Sequence, residues 1–317
     1  MQAVFLDTTS LDRGDLDRKS LEATATDWSF FDETPAETVP ERIREAEVVV
    51  TNKVPLDAEA IRAAPNLRLI CIAATGTNNV DLEAARERGV AVTNVVGYAT
   101  PAVVQHVFGL ILALTTRLPD YTAAVAAGRW SESPHFCLLD FPIRELAGRT
   151  LGVVGHGELG SNVARVAEAF GMQVRIAQTP GRPERPGRSP LEELLAEVDV
   201  LSLHCPLTPE TENLIGPAEL ARMPDDALLI NTARGGIVDE PALAEALRKG
   251  RLGGAGVDVL TREPPPAGHV LLAPDIPNLI VTPHVAWATR AARQRMVEEL
   301  AANLRAFLRG EERNRVV

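Results

Sequence analysis

Cysteine is scarce in this chain. Three of its 317 residues are cysteines, Cys71, Cys137 and Cys205, and their spacing is not that of a metal site. The N-terminus also lacks the basic and apolar regions of a secretory leader. The length excludes a small disulfide-stapled scaffold. The odd cysteine count favours a reducing cytoplasm, and no metal is expected.

Long apolar runs are missing too. The longest run spans residues 102–114 and is interrupted by Gln105 and His106. A membrane-spanning helix needs about 20 apolar residues. The run therefore predicts a buried helix of a soluble protein, and a membrane is not an expected partner.

Positive charge is in deficit. The chain has 32 Lys and Arg against 43 Asp and Glu, which gives a formal net charge of −11. Because this overall field repels nucleic-acid phosphates, nucleic acid is not an expected partner. An anionic small substrate would have to be attracted locally, by arginines or helix N-termini in a cleft.

The remaining composition is that of an average globular protein, with 45% hydrophobic and 24% charged residues. The length suits two domains of roughly 150 residues each. Short β-branched runs alternate with amphipathic segments, and the strands are continuous apolar runs, which is typical of a parallel sheet covered on both faces. We therefore predict an α/β fold with two doubly wound, Rossmann or flavodoxin-like parallel-sheet domains.

Ten strands and seven helices follow from this pattern. The predicted strands are residues 3–6, 48–50, 67–73, 90–92, 150–154, 173–177, 198–203, 227–231, 254–257 and 279–281. The predicted helices are residues 55–64, 81–88, 101–116, 158–170, 190–196, 241–249 and 289–308. Asp81 is an expected N-cap and Gly89 an expected C-terminal glycine. Segment 118–145 shows little periodicity, and one candidate role for it is a subunit interface.

The sharpest motif is the glycine-rich turn Gly155-His156-Gly157-Glu158-Leu159-Gly160, between a predicted strand and a predicted helix. The first glycine permits a tight turn, the second lets backbone approach a pyrophosphate, and the third allows close helix packing. The helix N-terminus offers unpaired N–H groups. This context predicts dinucleotide binding, with a glycine turn that binds no ligand as the alternative.

The end of the next strand usually carries an acidic residue that binds a ribose hydroxyl, and here it carries Gln178. Gln178 can form that hydrogen bond but lacks the charge that repels a 2′-phosphate. Arg182, Arg185 and Arg188 follow in a loop, where they either bind phosphate or are simply solvated. NADH and NADPH therefore both stay open.

Arg234, Glu263 and His284 each follow a predicted strand, where open parallel sheets place their sites. Besides a hydride donor, reduction of a 2-oxo acid needs a cation for the substrate and a proton donor that titrates near neutrality. Arginine suits the first task and histidine the second, and a carboxylate stabilises imidazolium. Taken singly, each residue has an alternative to a catalytic role. Arg234 could form a surface ion pair, Glu263 could be a solvated carboxylate, and His284 could be a buried histidine with its hydrogen bonds satisfied.

Together these residues resemble the D-isomer-specific 2-hydroxyacid dehydrogenase family over nearly the whole chain. The matching segments are residues 74–81, 155–160, 203–208, 231–240, 256–264 and 282–284. Residues 71–79, 136–140 and 284–288 most resemble glycerate dehydrogenases, also called hydroxypyruvate reductases. The resemblance implies NAD(P)H-dependent reduction of hydroxypyruvate or glyoxylate to the D-2-hydroxy acid.

The resemblance also implies a role for each site residue. Arg234 would bind the substrate, His284 would be the general acid, and Glu263 would be its partner. Backbone at Thr75 and Gly76 would hold the substrate carboxylate. The implied cofactor contacts are Gly155, Gly157, Glu158, Leu159, Gly160, Gln178, His204, Cys205, Pro206, Thr232 and Asp258.

The same resemblance implies the organisation of the chain. Residues 1–97 and 289–317 would form a discontinuous substrate-binding domain and residues 98–288 a dinucleotide-binding Rossmann domain, with NADH slightly favoured. Segment 118–145 resembles the family's dimerisation arm, so a homodimer is expected. The alternatives are an NAD(H)-sensing, corepressor-like scaffold with little turnover and a Rossmann dehydrogenase for another substrate.

Overall fold

The computed structural model describes all 317 residues and contains two compact units. The terminal unit consists of Met1–Ala99 and Trp287–Val317, and the central unit of Thr100–Ala286. That these units bind the substrate and the cofactor, respectively, stays a prediction.

The terminal unit contains a five-stranded parallel sheet with the strand order β2-β1-β3-β4-β5. Its strands are β1 Gln2–Phe5, β2 Asp27–Phe30, β3 Val48–Thr51, β4 Leu69–Ile72 and β5 Ala91–Thr93. Its first helices are α1 Lys19–Glu22, α2 Val39–Ile43, α3 Ala58–Ala63 and α4 Leu82–Glu87. Every residue of β3 and β4 is buried, as expected for strands covered on both faces.

The central unit contains a six-stranded parallel sheet with the order β11-β10-β9-β8-β6-β7. Its strands are β6 Thr150–Val154, β7 Gln173–Ala177, β8 Val200–Leu203, β9 Leu228–Asn231, β10 Gly254–Val257 and β11 Leu279–Val281. Its helices are α5 Thr100–Thr115, α6 Leu118–Ala126, α7 Glu158–Ala169, α8 Leu191–Leu195, α9 Pro217–Leu220 and α10 Glu240–Arg248. The last helix, α11 Arg290–Leu308, belongs to the terminal unit.

The strand order reverses at β6. The chain passes from β6 to β7 on one side and then to β8 on the other. Such a switch point leaves a crevice outside the carboxyl ends of the two central strands, and open α/β sheets bind ligands there. The prediction of two doubly wound parallel sheets is confirmed.

Helix α4 begins and ends at the residues that the sequence predicts as its caps. Asp81 accepts a hydrogen bond from the backbone N–H of Ala84 at 2.9 Å, and Gly89 ends the same helix at φ +66°. In the terminal unit, Arg293 on α11 donates from both terminal nitrogens to Asp15 at 2.8 Å. The guanidinium of Arg293 lowers the pKa of the Asp15 carboxyl to about 2.

Five elements of the structure were not predicted: strand β2, helix α6 and the short helices α1, α2 and α9. Strand β2 lies at the edge of the sheet, and none of its residues is fully buried. It therefore lacks the continuous apolar run that identifies a central strand in the sequence. Helix α6 occupies the start of segment 118–145, which shows little periodicity in the sequence. One face of α6 contributes only Ala124 to the buried core, so its apolar pattern is weak.

No single helix combines the length and the apolar composition needed to cross a membrane. Helices α5 and α6 meet those criteria only as a pair, and the pair is bent by 59°.

Candidate active site

The carboxyl ends of the central strands carry most of the predicted site residues at one edge of the sheet. Because all six strands are parallel, the residues that follow them lie along that edge in the order of the strands. These residues are Gly155 after β6, Gln178 after β7, His204 and Cys205 after β8, Thr232 and Arg234 after β9, Asp258 and Glu263 after β10, and His284 after β11.

The glycine-rich turn has the geometry of a phosphate cradle. Gly155 has φ +91°, and a Cβ there would lie 2.5 Å from the backbone nitrogen of Cys205. A Cβ on Gly160 would collide with the carbonyl oxygen of Gly155. At Gly157, by contrast, nothing lies within 4 Å of where a Cβ would be. The first and third glycines are therefore needed for packing, and the second faces open space that a pyrophosphate can enter.

Glu158 and Leu159 begin α7 directly after this cradle. The Glu158 carboxylate accepts a hydrogen bond from Thr100 Oγ1 at 2.6 Å, so its side chain is already engaged within the central unit. The first backbone N–H groups of a helix have no partner within the helix. The predicted contribution of these two residues to a cofactor site therefore rests on their backbone.

Three buried polar atoms at this edge have no hydrogen-bond partner: Gln178 Oε1, His204 Nδ1 and Thr232 Oγ1. An unsatisfied buried polar group costs about 1–3 kcal/mol. Three such groups beside a glycine-rich turn fit a polar ligand that supplies the missing partners. The residues present therefore fit a dinucleotide.

Gln178 has a defined orientation. Its Nε2 donates to the carbonyl oxygens of Arg182 at 2.9 Å and Pro183 at 3.1 Å. Oε1 is the atom left without a partner, so the group that Gln178 offers a ligand is a hydrogen-bond acceptor.

His204 and Cys205 offer uncharged groups. Burial lowers the pKa of His204 to about 4, so its imidazole is neutral at pH 7, and Nε2 lies 2.8 Å from Ser202 Oγ. Burial raises the pKa of Cys205 to about 11. Its thiol therefore stays protonated and is not a nucleophile. The neighbouring Pro206 is exposed and accepts a hydrogen bond from Thr211 Oγ1 through its carbonyl oxygen.

His284 and Glu263 form a close pair. Nδ1 of His284 lies 2.6 Å from Oε2 of Glu263, and the other carboxylate oxygen of Glu263 accepts the backbone N–H of Leu260 at 2.9 Å. The predicted contact between these two side chains is therefore present, and their catalytic roles stay predictions. Since Glu263 holds Nδ1, the nitrogen suited to proton transfer is Nε2.

The backbone of His284 adopts a left-handed conformation, with φ +54°. Such a conformation is uncommon outside glycine and costs of order 1 kcal/mol or more. It is held by the backbone N–H of His284, which donates to the carbonyl oxygens of Asp258 at 2.8 Å and Thr282 at 3.0 Å.

Asp258 anchors the loop that carries His284. Its side chain is 1% exposed, and Oδ1 accepts from Thr282 Oγ1 at 2.5 Å and from the N–H of Val285 at 2.9 Å. Oδ2 accepts from the N–H of Ala286 at 2.9 Å. The contacts of Asp258 with this loop were not predicted from the sequence. The only sequence feature that indicates them is that Asp258 and Thr282 directly follow two paired strands.

Arg234 lies on a turn fixed by a buried asparagine. Asn231 accepts the N–H of Ala233 and donates to the carbonyl oxygen of Arg234 at 2.9 Å. The exposed Arg234 guanidinium donates to Ala233 O at 2.7 Å and forms no ion pair in the chain. A Cβ on Gly235 would collide with the carbonyl group of Leu260, so this turn packs directly on the segment that precedes Glu263.

Thr75 and Gly76 belong to the terminal unit, unlike the other predicted site residues. They follow β4, the second strand from one edge of the terminal sheet. Thr75 Oγ1 donates to Val95 O at 2.8 Å, and the carbonyl oxygen of Thr75 accepts from Asn94 Nδ2 at 2.8 Å. These bonds fix the turn whose backbone is predicted to hold a carboxylate.

The chain is similar to known proteins over almost its whole length. The family model "D-isomer specific 2-hydroxyacid dehydrogenase, NAD binding domain" matches residues 108–286. A glycerate dehydrogenase of Methylorubrum extorquens is 46% identical over 307 residues, covering 94% of this chain and 96% of the relative. A hydroxypyruvate reductase of Blautia hydrogenotrophica is 36% identical and covers 99% of both chains.

A solved structure shows the same fold. The crystal structure of the TT0316 protein from Thermus thermophilus superposes with a TM-score of 0.87 at 39% identity and covers 100% of both chains. The family model covers more than half of this chain, and the relatives cover almost all of it. The chain is therefore a member of the D-isomer specific 2-hydroxyacid dehydrogenase family, with an NAD-binding domain of the Rossmann type.

Proposed function

We propose that this protein reduces a small 2-oxo acid, hydroxypyruvate or glyoxylate, to the D-2-hydroxy acid with a nicotinamide cofactor. The observation that carries the proposal is the 2.6 Å contact between His284 and Glu263 at the sheet edge that also carries Arg234 and the glycine-rich turn. The names of the two relatives, a glycerate dehydrogenase and a hydroxypyruvate reductase, point to the same substrate class.

The proposed cofactor-binding residues are those of the glycine-rich turn and those whose buried polar atoms have no hydrogen-bond partner. Backbone at Gly157, Glu158 and Leu159 would hold the diphosphate, and Gln178 a ribose hydroxyl. The remaining contacts are proposed along the same edge, at Gly155, Gly160, His204, Cys205, Pro206, Thr232 and Asp258. When bound, a reduced nicotinamide supplies the hydride that is transferred to C2 of the substrate.

Arg234 is proposed to hold the substrate. Its guanidinium forms no ion pair in the chain. The coplanar N–H groups of a guanidinium can donate hydrogen bonds to a carboxylate and to an adjacent carbonyl oxygen at the same time. It supplies local positive charge in a chain whose net charge is −11. In the terminal unit, backbone at Thr75 and Gly76 is proposed to bind a carboxylate.

His284 is proposed to donate the proton. As hydride reaches C2, the carbonyl oxygen becomes an alkoxide, and Nε2 of His284 protonates it to give the hydroxyl group. The Glu263 carboxylate at Nδ1 stabilises the imidazolium before transfer and fixes the ring orientation. The net change is addition of one hydride and one proton to the substrate, and His284 regains its proton from solvent.

NADH is proposed as the slightly favoured cofactor. The free atom of Gln178 is an acceptor, which suits a ribose hydroxyl and does not suit a 2′-phosphate. A hydrogen bond from Thr208 lowers the pKa of the exposed Glu210 carboxyl, and the positive charge of the nearby Arg182 lowers it further. Part of the loop's positive charge is thus already balanced.

A homodimer and a cytoplasmic location are also proposed. The segment after α6 leaves large apolar side chains exposed, most of all Phe136 at 90% and Leu139 at 85%. A cluster of exposed apolar side chains of this kind is typical of an interaction surface.

Initial rates test the proposed function. Hydroxypyruvate, glyoxylate and pyruvate are each supplied with NADH and with NADPH, and the chirality of the product is determined. We expect turnover of hydroxypyruvate or glyoxylate, faster with NADH, and a D-2-hydroxy acid as product. Binding of NADH without its oxidation by any of the three acids would contradict the proposal and favour a sensing protein.

A further inference from the structure

Helix α5 carries a histidine that the proposed reaction does not use. His106 lies in the second turn of this helix, and its side chain is 23% exposed. Its Nε2 lies 3.0 Å from Thr282 Oγ1 and 3.5 Å from Asp258 Oδ1. The helix is thereby joined to the two residues that hold the His284 loop.

The hydrogen positions in this chain of contacts follow from counting protons. Asp258 accepts from two backbone N–H groups, so its carboxylate is an acceptor, and the hydroxyl of Thr282 must donate to it across 2.5 Å. A hydroxyl has one proton. Nε2 of His106 must therefore donate to Thr282 Oγ1, because the only proton of that hydroxyl points to Asp258.

The chain of hydrogen bonds ends on the backbone of His284. Asp258 binds the N–H groups of Val285 and Ala286 through its side chain and the N–H of His284 through its carbonyl oxygen. The same backbone has φ +54° at His284, a conformation that persists only where its surroundings hold it. Loss of a donor at one end of the network therefore relaxes the loop at the other end.

We propose that His106 is a positioning residue for His284. It donates through Nε2 to Thr282, which fixes the Thr282 hydroxyl on Asp258, and Asp258 fixes the backbone that aims the imidazole of His284. This inference rests on the proposed function, in which His284 transfers the proton. His106 itself touches neither substrate nor cofactor in this role.

Three variants separate positioning from a general structural effect. His106→Leu removes the N–H donor and puts an apolar side chain of similar length in its place. His106→Gln keeps an N–H group near the place of Nε2. The matched control is Gln105→Leu, an exposed neighbour on the same helix that is outside the network. Each is measured for kcat and KM with hydroxypyruvate, for the Kd of NADH, and for Tm.

We expect His106→Leu to lower kcat by about tenfold or more, because the variant loses a hydrogen bond in a network that contains the charged Asp258 carboxylate. KM, the Kd of NADH and Tm should change little, and His106→Gln should recover most of kcat. Gln105→Leu should match the wild type. A wild-type kcat in His106→Leu, or equal losses in His106→Leu and His106→Gln, would overturn the proposal.

A second readout does not depend on turnover. The ring C–H signals of His284 are assigned by NMR with a His284→Gln reference and compared among the variants. In His106→Leu these signals should shift or broaden, and in His106→Gln and Gln105→Leu they should match the wild type. If the wild type reduces no 2-oxo acid, the proposed function is wrong, whereas unchanged His284 signals in His106→Leu show that the positioning role is wrong.

Discussion

The Nδ1 atom of His284 lies 2.6 Å from Oε2 of Glu263, although the two residues are 21 positions apart in the chain. They meet because their loops follow the adjacent parallel strands β10 and β11. The other oxygen of Glu263 accepts a hydrogen bond from the backbone N–H of Leu260, and this bond fixes the orientation of the carboxylate next to the imidazole. The pair is therefore preorganised within one unit of the protein.

Glu263→Gln removes the charge of this pair and keeps its shape. An amide still accepts the N–H of Leu260 but does not stabilise an imidazolium at Nδ1. We expect kcat for reduction to fall by about 10–100-fold, with a smaller change in KM. Steady-state kinetics provide the check, with Arg262→Gln on the same loop as the control. An unchanged kcat in Glu263→Gln would remove the carboxylate from the reaction.

The glycine-rich turn offers a matched pair of substitutions. Gly157→Ala adds a methyl group to open space at φ −87°, so the fold should be unaffected while the approach of a pyrophosphate is blocked. The Kd of NADH should rise by about tenfold or more, equivalent to ~1.4 kcal/mol. Gly160→Ala instead forces Cβ against the Gly155 carbonyl and should lower the free energy of unfolding by about 1–3 kcal/mol.

Fluorescence titration with NADH and thermal unfolding distinguish the two effects. Gly109→Ala is the control, because Gly109 is exposed in α5 with nothing within 4 Å of a Cβ. It should raise stability by about 0.5–1 kcal/mol and leave Kd unchanged. Tight NADH binding by Gly157→Ala would show that the dinucleotide does not lie over this glycine.

Burial of His204 predicts a specific pH dependence of stability. Its pKa is about 4 in the folded protein against an ordinary value of 6.5. Between these values the unfolded chain binds a proton that the folded chain does not, so stability falls as the pH is lowered. Relative to His204→Gln, the wild type should lose about 2 kcal/mol between pH 7.5 and pH 5.

Equilibrium denaturation at both pH values measures that difference. If wild type and His204→Gln lose stability in parallel, the neutral state of His204 does not contribute.

The exposed apolar side chains of segment 118–145 predict the assembly state. A double variant, Phe136→Asp with Leu139→Asp, places two charges where the side chains are 90% and 85% exposed in the single chain. We expect light scattering to give twice the 34.1 kDa chain mass for the wild type and the chain mass for the variant. Leu308→Asp, at an exposed leucine on α11, should leave the wild-type mass unchanged. A monomeric wild type would contradict the dimer.

Continuous apolar runs and glycine signals were enough to predict most of the fold. The predicted bounds of β6, β7, β10 and β11 agree with the structure at both ends, because these strands are flanked by polar or glycine-containing turns. Strand β2 was missed because an edge strand needs no continuous apolar run. Helix α6 was missed because a helix that buries one alanine shows little periodicity.

The site could be predicted only as a set of positions. Parallel strands imply that residues after their ends share an edge, so proximity of Glu263 and His284 followed from order along the sheet. The left-handed backbone of His284, the three acceptor contacts of Asp258 and the contact of His106 with Thr282 were not predictable. They depend on which way individual side chains and N–H groups point, and no periodic pattern encodes that.

A single-turnover measurement of nicotinamide oxidation by hydroxypyruvate tests the central claim most directly, because it isolates the chemical step from product release. His284→Gln is compared with the wild type, both with cofactor bound. We predict that the rate falls by about 10²–10⁴-fold, the range typical of losing a general acid, with the Kd of NADH unchanged. A wild-type rate in His284→Gln would contradict the assignment of His284 as the proton donor.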